Sequence, residues 1–462
     1  MLLFGEEYAI LFLRGDYMFT RVHLQNFRSF GDIILDLTEK SGQPKNLAVI
    51  YGENGAGKSN LASSFVLLGE LLSTMDVRDM YEEFLNQKAI FADESMETMI
   101  RQKIKSGMRD MQAIIDDYRM VGNDEPIVAE YEFLISGNAG KYTIAFGQDE
   151  IIYERLEYLL NKRKGVYFDC SSSGVNINPG ILKSKDLLND IKASAKRFWG
   201  KHSILSIIVY QLFDKSKAYG SGNISDNFSD VLNLLSSVSS FVKIGMRRWD
   251  KLSSGIDILE SADVGRISIS KEPQLDIAES IFSKFFSSIN SDIRRVYYRR
   301  TYNDKIVNYE LMFEKLVAGQ HRHIEFSRES TGNHQILRVL CYLLTACFDG
   351  VVVIDEADSA VHDYLFKKVC DEIAPFIDGQ VIMTTHNTML MESDFARNTT
   401  YILSEDDAGN KVVKAISDYE KRTYLNNNIR NKYLNNEYGG LPQVHPIDFS
   451  CLIRELVESQ SQ

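Results

Sequence analysis

Little in this chain suits an oxidising compartment, a membrane or a uniformly basic groove. Its five cysteines (Cys170, Cys341, Cys347, Cys370 and Cys451) include no C-x-x-C pair. That disfavours a zinc site or a disulfide scaffold and fits buried thiols in a reducing cytoplasm. No apolar run approaches the roughly 18 residues a membrane span needs. The first stretch, MLLFGEEYAILFLRGDYMF, is apolar, but it lacks a basic n-region and is interrupted by Glu6, Glu7, Arg14 and Asp16, so it does not read as a signal peptide. Met18 begins a strand-like segment, and residues 1–17 are expected to be an extension. Lys and Arg (52) are outnumbered by Asp and Glu (64), for a formal net charge of −12. This argues against a uniformly basic nucleic-acid binder and leaves room only for a local basic groove. Internal repeats, low-complexity tracts and sustained heptads are missing as well.

The 462 residues, 44% hydrophobic and 25% charged, have the composition of a globular protein and exceed one hydrophobic core, so two lobes or one domain with large insertions are expected. The chain is organised around LAVIYGENGAGKSNLASSFVLLGELL, residues 47–72. Leu47 to Tyr51 has the length and β-branching of a buried strand. Gly52 to Ser59 then fits G-x-x-x-x-G-K-[ST] at every fixed position. Leu61, Phe65, Leu68 and Leu72 mark one face of a following helix. A glycine-rich turn can match eight residues by accident, but here both flanking elements are present. In such a loop, glycines let backbone N–H groups converge on phosphate oxygens at a helix N-terminus. Gly52, Asn54, Gly55, Gly57 and Asn60 are nucleotide-binding candidates. Lys58 would reach the β- and γ-phosphates of ATP, and the Ser59 hydroxyl would hold Mg²⁺.

A P-loop needs a carboxylate on the metal and a group to activate water. VVVIDE (residues 351–356) supplies both at the end of an apolar strand: Asp355 for the Mg²⁺ shell and Glu356 for the attacking water. About thirty residues on, Gln380 to Met383 leads into Thr384-Thr385-His386-Asn387, placing His386 at a strand end where it would contact the γ-phosphate. Upstream, Ser330-Thr331-Gly332-Asn333-His334-Gln335 opens a helix that Ser330 would cap.

Along the chain, Phe19 to Phe30 and Ile33 to Leu37 read as a hairpin that puts Arg28 near the nucleotide; a solvated edge arginine is the bland alternative. Residues 18–60 and 291–420 are assigned to an ATPase head, 61–126 to a helical insertion, 127–183, an antiparallel meander, to the β part of that head, 184–290 to a helical lobe and 421–462 to a C-terminal segment. Within 291–300, Arg294, Arg295, Arg299 and Arg300 interleave with Tyr297 and Tyr298. That pattern suits a nucleic-acid backbone, or a sheet edge whose arginines pair with acids.

Together these residues resemble the ABC-type ATPases: a P-loop, an S-x-G signature before a helix, a D-E pair and a switch histidine. The resemblance implies an α/β fold, a mixed sheet flanked by helices with antiparallel N-terminal strands and a large, mainly helical insertion. It also implies composite sites in a homo-oligomer, where Ser330 and Gly332 of one subunit face the γ-phosphate held by another and Asp358 serves as the D-loop aspartate. Thr331 and Asn333-His334 depart from LSGGQ, and the glutamine loop is not placed. The nearly three hundred residues between Lys58 and Asp355, with Asn26-Phe27-Arg28-Ser29-Phe30, resemble the RecF/SMC branch. DEADSAVH, TTHN and NIRNKYLNNEYGGLP (from Asp355, Thr384 and Asn428) resemble the OLD-like and AbiLi-like anti-phage ATPases. OLD proteins carry a Toprim nuclease after the ATPase; only about 75 residues follow His386, so the effector would be a separate protein, answering a phage-derived or DNA trigger. The rival expectation is a RecF-like DNA-maintenance ATPase.

Overall fold

The alternation ahead of the P-loop becomes an antiparallel hairpin, β1 (Tyr17–Phe27) and β2 (Phe30–Asp36), followed by the P-loop strand β3 (Leu47–Tyr51). The computed structural model describes residues 17–88, 109–214, 222–245, 247–406, 408–419, 428–442 and 447–459. Except for Tyr17, the expected N-terminal extension lies outside the described residues.

Helix α1 (Lys58–Lys88) leaves the P-loop, and α2 (Met111–Tyr118) returns toward β1. Strands β4 (Ile127–Ile135), β5 (Asn138–Phe146), β6 (Ile151–Leu160), β7 (Arg163–Ser171) and β8 (Gly174–Ile177) complete an antiparallel sheet of order β2-β1-β4-β5-β6-β7-β8. Every second residue of β4 is buried, the pattern of a sheet with one covered face. Its cover is α1: Phe65 packs edge-on to Phe19 and Tyr131, and the Tyr131 hydroxyl donates to the Ser64 carbonyl at 2.6 Å.

Helices α3 (Lys185–Phe198), α4 (Ile204–Asp214) and α5 (Asp226–Ser236) follow. The expected helical lobe does not extend to residue 290. Strand β9 (Ser239–Ile244) pairs in parallel with Val352 to Ile354, and β10 (Arg247–Lys251) pairs antiparallel with β9. Strand β11 (Val264–Ser268) and helix α6 (Pro273–Ile289) then belong with β12 (Ile293–Asn303), β13 (Ile306–Val317) and β14 (Gln320–Glu325), which form a separate antiparallel sheet. Six residues with little alternation do not announce a strand. What makes β9 one is its neighbour across the sheet.

Helix α7 (Thr331–Ala346), β15 (Val351–Ile354), α8 (Asp363–Ile373), β16 (Gln380–Thr384), β17 (Thr400–Glu405) and β18 (Lys411–Ala415) complete the head. The mixed sheet has the order β10-β9-β15-β16-β3-β17-β18, parallel except at its two edges. It separates two cores. Ala48, Ile50, Val351 and Val353 face α1 and the antiparallel sheet. Leu47, Val49, Tyr51, Val352 and Ile354 face α6, α7 and the β11–β14 sheet. Burial on both faces is why β3 and β15 read as unbroken apolar runs. Beyond the sheet, α9 (Ile429–Leu434) docks on the turn after His386 through Arg430, which bonds Thr388 and Glu392, and α10 (Phe449–Ser459) ends the described residues.

Candidate nucleotide site

Parallel register brings the C-terminal ends of β9, β15, β16 and β3 to one edge of the sheet, and the candidate residues gather there. Gly57 adopts φ +112°, and a Cβ on it would lie 2.7 Å from the Phe30 ring and 3.0 Å from Ser29 Oγ. The P-loop is therefore clasped by the Ser29-Phe30 turn, and the Asn60 amide donates to Ser29 Oγ at 2.8 Å. Gly52 is needed for a second close approach, since a Cβ there would sit 2.5 Å from the Leu403 carbonyl oxygen. Asn54 and Gly55 stand exposed on the crest of the loop.

Lys58 is buried and donates to the carbonyl oxygens of Gly52 (2.9 Å) and Glu53 (3.0 Å). Burial lowers its pKa, against the pull of Asp355, Glu356, Asp358 and Glu53. Those interactions show that residues three hundred positions apart share one small volume. His386, exposed at the end of β16, belongs to the same group: desolvation, then Lys58, lowers its pKa, while Asp358, Glu356 and Asp355 oppose. The imidazole is accordingly neutral near pH 7.

Asp355 is fully buried, and burial raises its pKa; hydrogen bonding from Thr384 and Ser59 and from the backbone of Lys243 opposes this. Its Oδ1 accepts from Thr384 Oγ1 at 2.7 Å, whereas Oδ2 has no hydrogen-bond partner. A buried carboxylate oxygen without a partner, beside the Ser59 hydroxyl, has the chemistry of a hard-cation site, so these two residues fit Mg²⁺. The Thr384 hydroxyl also accepts from the backbone N–H of Glu356 at 2.9 Å. It thus fixes both acids. Glu356 sits at φ +49°, a strained backbone for a non-glycine residue, and its half-exposed carboxylate pairs with Lys243 of β9.

Ser330 caps α7, accepting from the Asn333 N–H at 3.2 Å, and is exposed. Gly332 lies against the loop after Glu356: a Cβ there would be 2.9 Å from the Ala360 carbonyl oxygen. The Ser330 region and the half-buried Asp358 therefore share one surface.

Two open readings narrow. Arg28 is not a solvated edge arginine. Its guanidinium is held by Asp117 at 2.7 Å and lies over the Tyr118 ring, and its backbone N–H bonds the Tyr118 carbonyl. The next two residues of the same turn, Ser29 and Phe30, touch the loop. Three of the β12 arginines follow the second reading given for that strand and pair with acids: Arg295 with Glu279 (2.6 Å), Arg299 with Glu310 (2.5 Å), and Arg300 with Asp276 (2.6 Å) and Glu272 (3.2 Å). Sequence reasoning missed Lys243 and Thr384. Lys243 belongs to no local pattern and Thr384 entered only as the first residue of TTHN; each matters through a strand neighbour distant in sequence.

Among the described residues, no group of three His, Cys, Asp or Glu could hold a metal by itself, and no helix is long and apolar enough to cross a membrane.

A parallel sheet carrying a P-loop, an adjacent acid pair and an antiparallel subdomain defines a P-loop ATPase head of ABC type. The chain belongs to the AAA_21 family of AAA domains, whose description names the AbiEii toxin and Type IV TA system, and the match spans residues 47–392. No curated protein matches it. Similar solved structures include an SMC head bound to the C-winged helix domain of ScpA (15% identity, 86% of this chain and 97% of that one, TM-score 0.43). Others are the SMC head domain from Thermotoga maritima (16%, 86% and 98%, 0.35) and a Pyrococcus furiosus-derived Smc head with an extended coiled coil bound to the C-terminal domain of ScpA (14%, 86% and 96%, 0.40).

Proposed function

We propose that this protein hydrolyses ATP at sites completed between two copies, and that its nucleotide state governs a separate effector, a nuclease or toxin, in defence against phage. The observation that carries the reading is the convergence of Lys58, Asp355, Glu356, Asp358 and His386 around a buried carboxylate oxygen that lacks a partner. Lys58 would exchange the Gly52 and Glu53 carbonyls for phosphate oxygens, joined by the backbone N–H groups from Asn54 to Ser59. Ser59 and Asp355 would hold Mg²⁺, which when bound offsets charge on the phosphates. Glu356 would take a proton from the attacking water, and neutral His386 would donate a hydrogen bond to a γ-phosphate oxygen. The exposure of Ser330 at the start of α7, on the surface shared with Asp358, supports completion of the site by a second copy. Loss of the γ-phosphate would then remove the bridge between copies.

The defence role and the separate effector rest on family membership and on the motif resemblance. Lys58→Ala should abolish ATP binding. Glu356→Gln should retain ATP, lower turnover by about 10²–10⁴-fold, and shift the chain to a larger species in gel filtration with ATP. Equal hydrolysis by wild type and Glu356→Gln would refute the base assignment. Failure to co-purify with the product of the adjacent gene would count against the effector.

A further inference from the structure

Glu356, the proposed base, meets a cation that no motif of the sequence announced. Lys243 lies near the end of β9, the strand beside β15, and two contacts fix its position relative to the acids. The Asp355 N–H donates to the Phe241 carbonyl at 2.7 Å, and the Lys243 ammonium pairs with Glu356. The backbone of β9 therefore supports one acid while the Lys243 side chain occupies the other. Neither partner of the ion pair is locked by packing, since the two side chains are 37% and 41% exposed. Beyond Ile244 the chain turns at Gly245, with φ +60°, into the β9–β10 hairpin, so the strand that carries Lys243 ends at the site.

A carboxylate clamped by an ammonium is a poor partner for water, because one of its oxygens is already taken. A nucleoside triphosphate seated on the P-loop would bring a more highly charged anion to the same edge of the sheet. The lysine stem has four rotatable bonds and a point charge able to follow the stronger field.

We infer that Lys243 is a two-position cation: without nucleotide it holds Glu356, and with a triphosphate it transfers to terminal phosphate oxygens and releases Glu356 to water. This makes Lys243 a positioning residue that couples arrival of the γ-phosphate to exposure of the base, and a reader of triphosphate against diphosphate. The inference rests on the ATP-site reading above. ADP, lacking the terminal phosphate, leaves the clamp closed.

Calorimetric titration of the full-length protein with AMP-PNP and with ADP tests this without any turnover. Wild type, Lys243→Met, Glu356→Gln and the double variant form a cycle. Lys243→Met is expected to lower the preference for AMP-PNP over ADP about tenfold, the effect of losing one charge-assisted contact at a partly exposed site. Glu356→Gln, which frees the lysine, is expected to raise that preference. In the Lys243→Met background the same Glu356→Gln change should no longer raise it, and Lys243→Arg should restore most of the wild-type preference. Unfolding midpoints of each variant separate misfolding from loss of binding. Strict additivity of the two changes, or an unchanged preference in Lys243→Met, would overturn the inference while leaving the ATP site standing. Absence of nucleotide binding by wild type, or persistence in Lys58→Ala, would overturn the ATP site itself.

Discussion

At the scale of single residues, the site depends on small groups placed where nothing else fits. Thr384 uses one hydroxyl to donate to Asp355 and accept from the Glu356 N–H. Thr384→Val keeps the shape and removes both bonds, leaving a buried carboxylate oxygen and a backbone N–H without partners. The expected cost is about 1–3 kcal/mol for each group left bare, read by urea denaturation, together with weaker ATP binding. Gly52→Ala places a methyl group against the Leu403 carbonyl and should destabilise the fold by about 1–3 kcal/mol, as overpacking does. An unchanged midpoint would mean that β3 and β17 can part at no cost. The residues grouped by local pattern, from Gly52 to Ser59 and at Asp355, Glu356 and His386, do lie together in the structure. Lys243 and Thr384 were invisible because a lysine in FVKI or a threonine in TTHN acquires meaning only from a strand that pairs more than a hundred or nearly thirty residues away.

At the scale of elements, a buried acid joins the antiparallel sheet to the helices above it. Glu154 of β6 is fully buried and accepts from the Tyr142 hydroxyl (3.0 Å), Trp199 Nε1 (3.2 Å) and the Ile204 N–H at the start of α4 (2.8 Å). Desolvation outweighs these donors and pushes its pKa up from the usual 4.5 to about 7. A folded-state pKa above the unfolded one makes the protein most stable below about 4.5, as far as this group is concerned, with stability lost as pH rises toward 7. At about 1.4 kcal/mol per pKa unit this amounts to ~3 kcal/mol. Glu154→Gln can keep all three contacts, its amide donating to Tyr142 Oη, and should flatten that dependence and stabilise the protein at pH 8. A parallel pH profile of unfolding midpoints for the two forms would contradict this. Elements with strict alternation, such as β4, or with a capping serine and a long apolar face, such as α7, were readable from sequence. Strand β9 was not, because its burial on both faces is imposed by β15, and neighbouring helices made the whole stretch look helical.

For the molecule as a whole, the charge balance matters more than the local arginine count. Arg295, Arg299 and Arg300 each face an acid of α6, β13 or β14. Replacing Arg295 and Arg299 by alanine should therefore leave the unfolding midpoint nearly unchanged and leave retention on duplex DNA at low salt unchanged. Loss of retention would revive a DNA-maintenance role. The two-core arrangement was legible only in outline: the sequence marked where the head begins and resumes, but not that one sheet would divide the interior.

That sheet also sets a timetable. Strand β3 lies between β16 and β17, and Ala48 pairs with Ile382 across more than three hundred residues of chain. At roughly 5–20 residues per second of synthesis, a newborn P-loop strand, greasy on both sides, waits on the order of tens of seconds for its partners to leave the ribosome. Until then its edges are bare, and the nascent chain would call on chaperones through most of its translation.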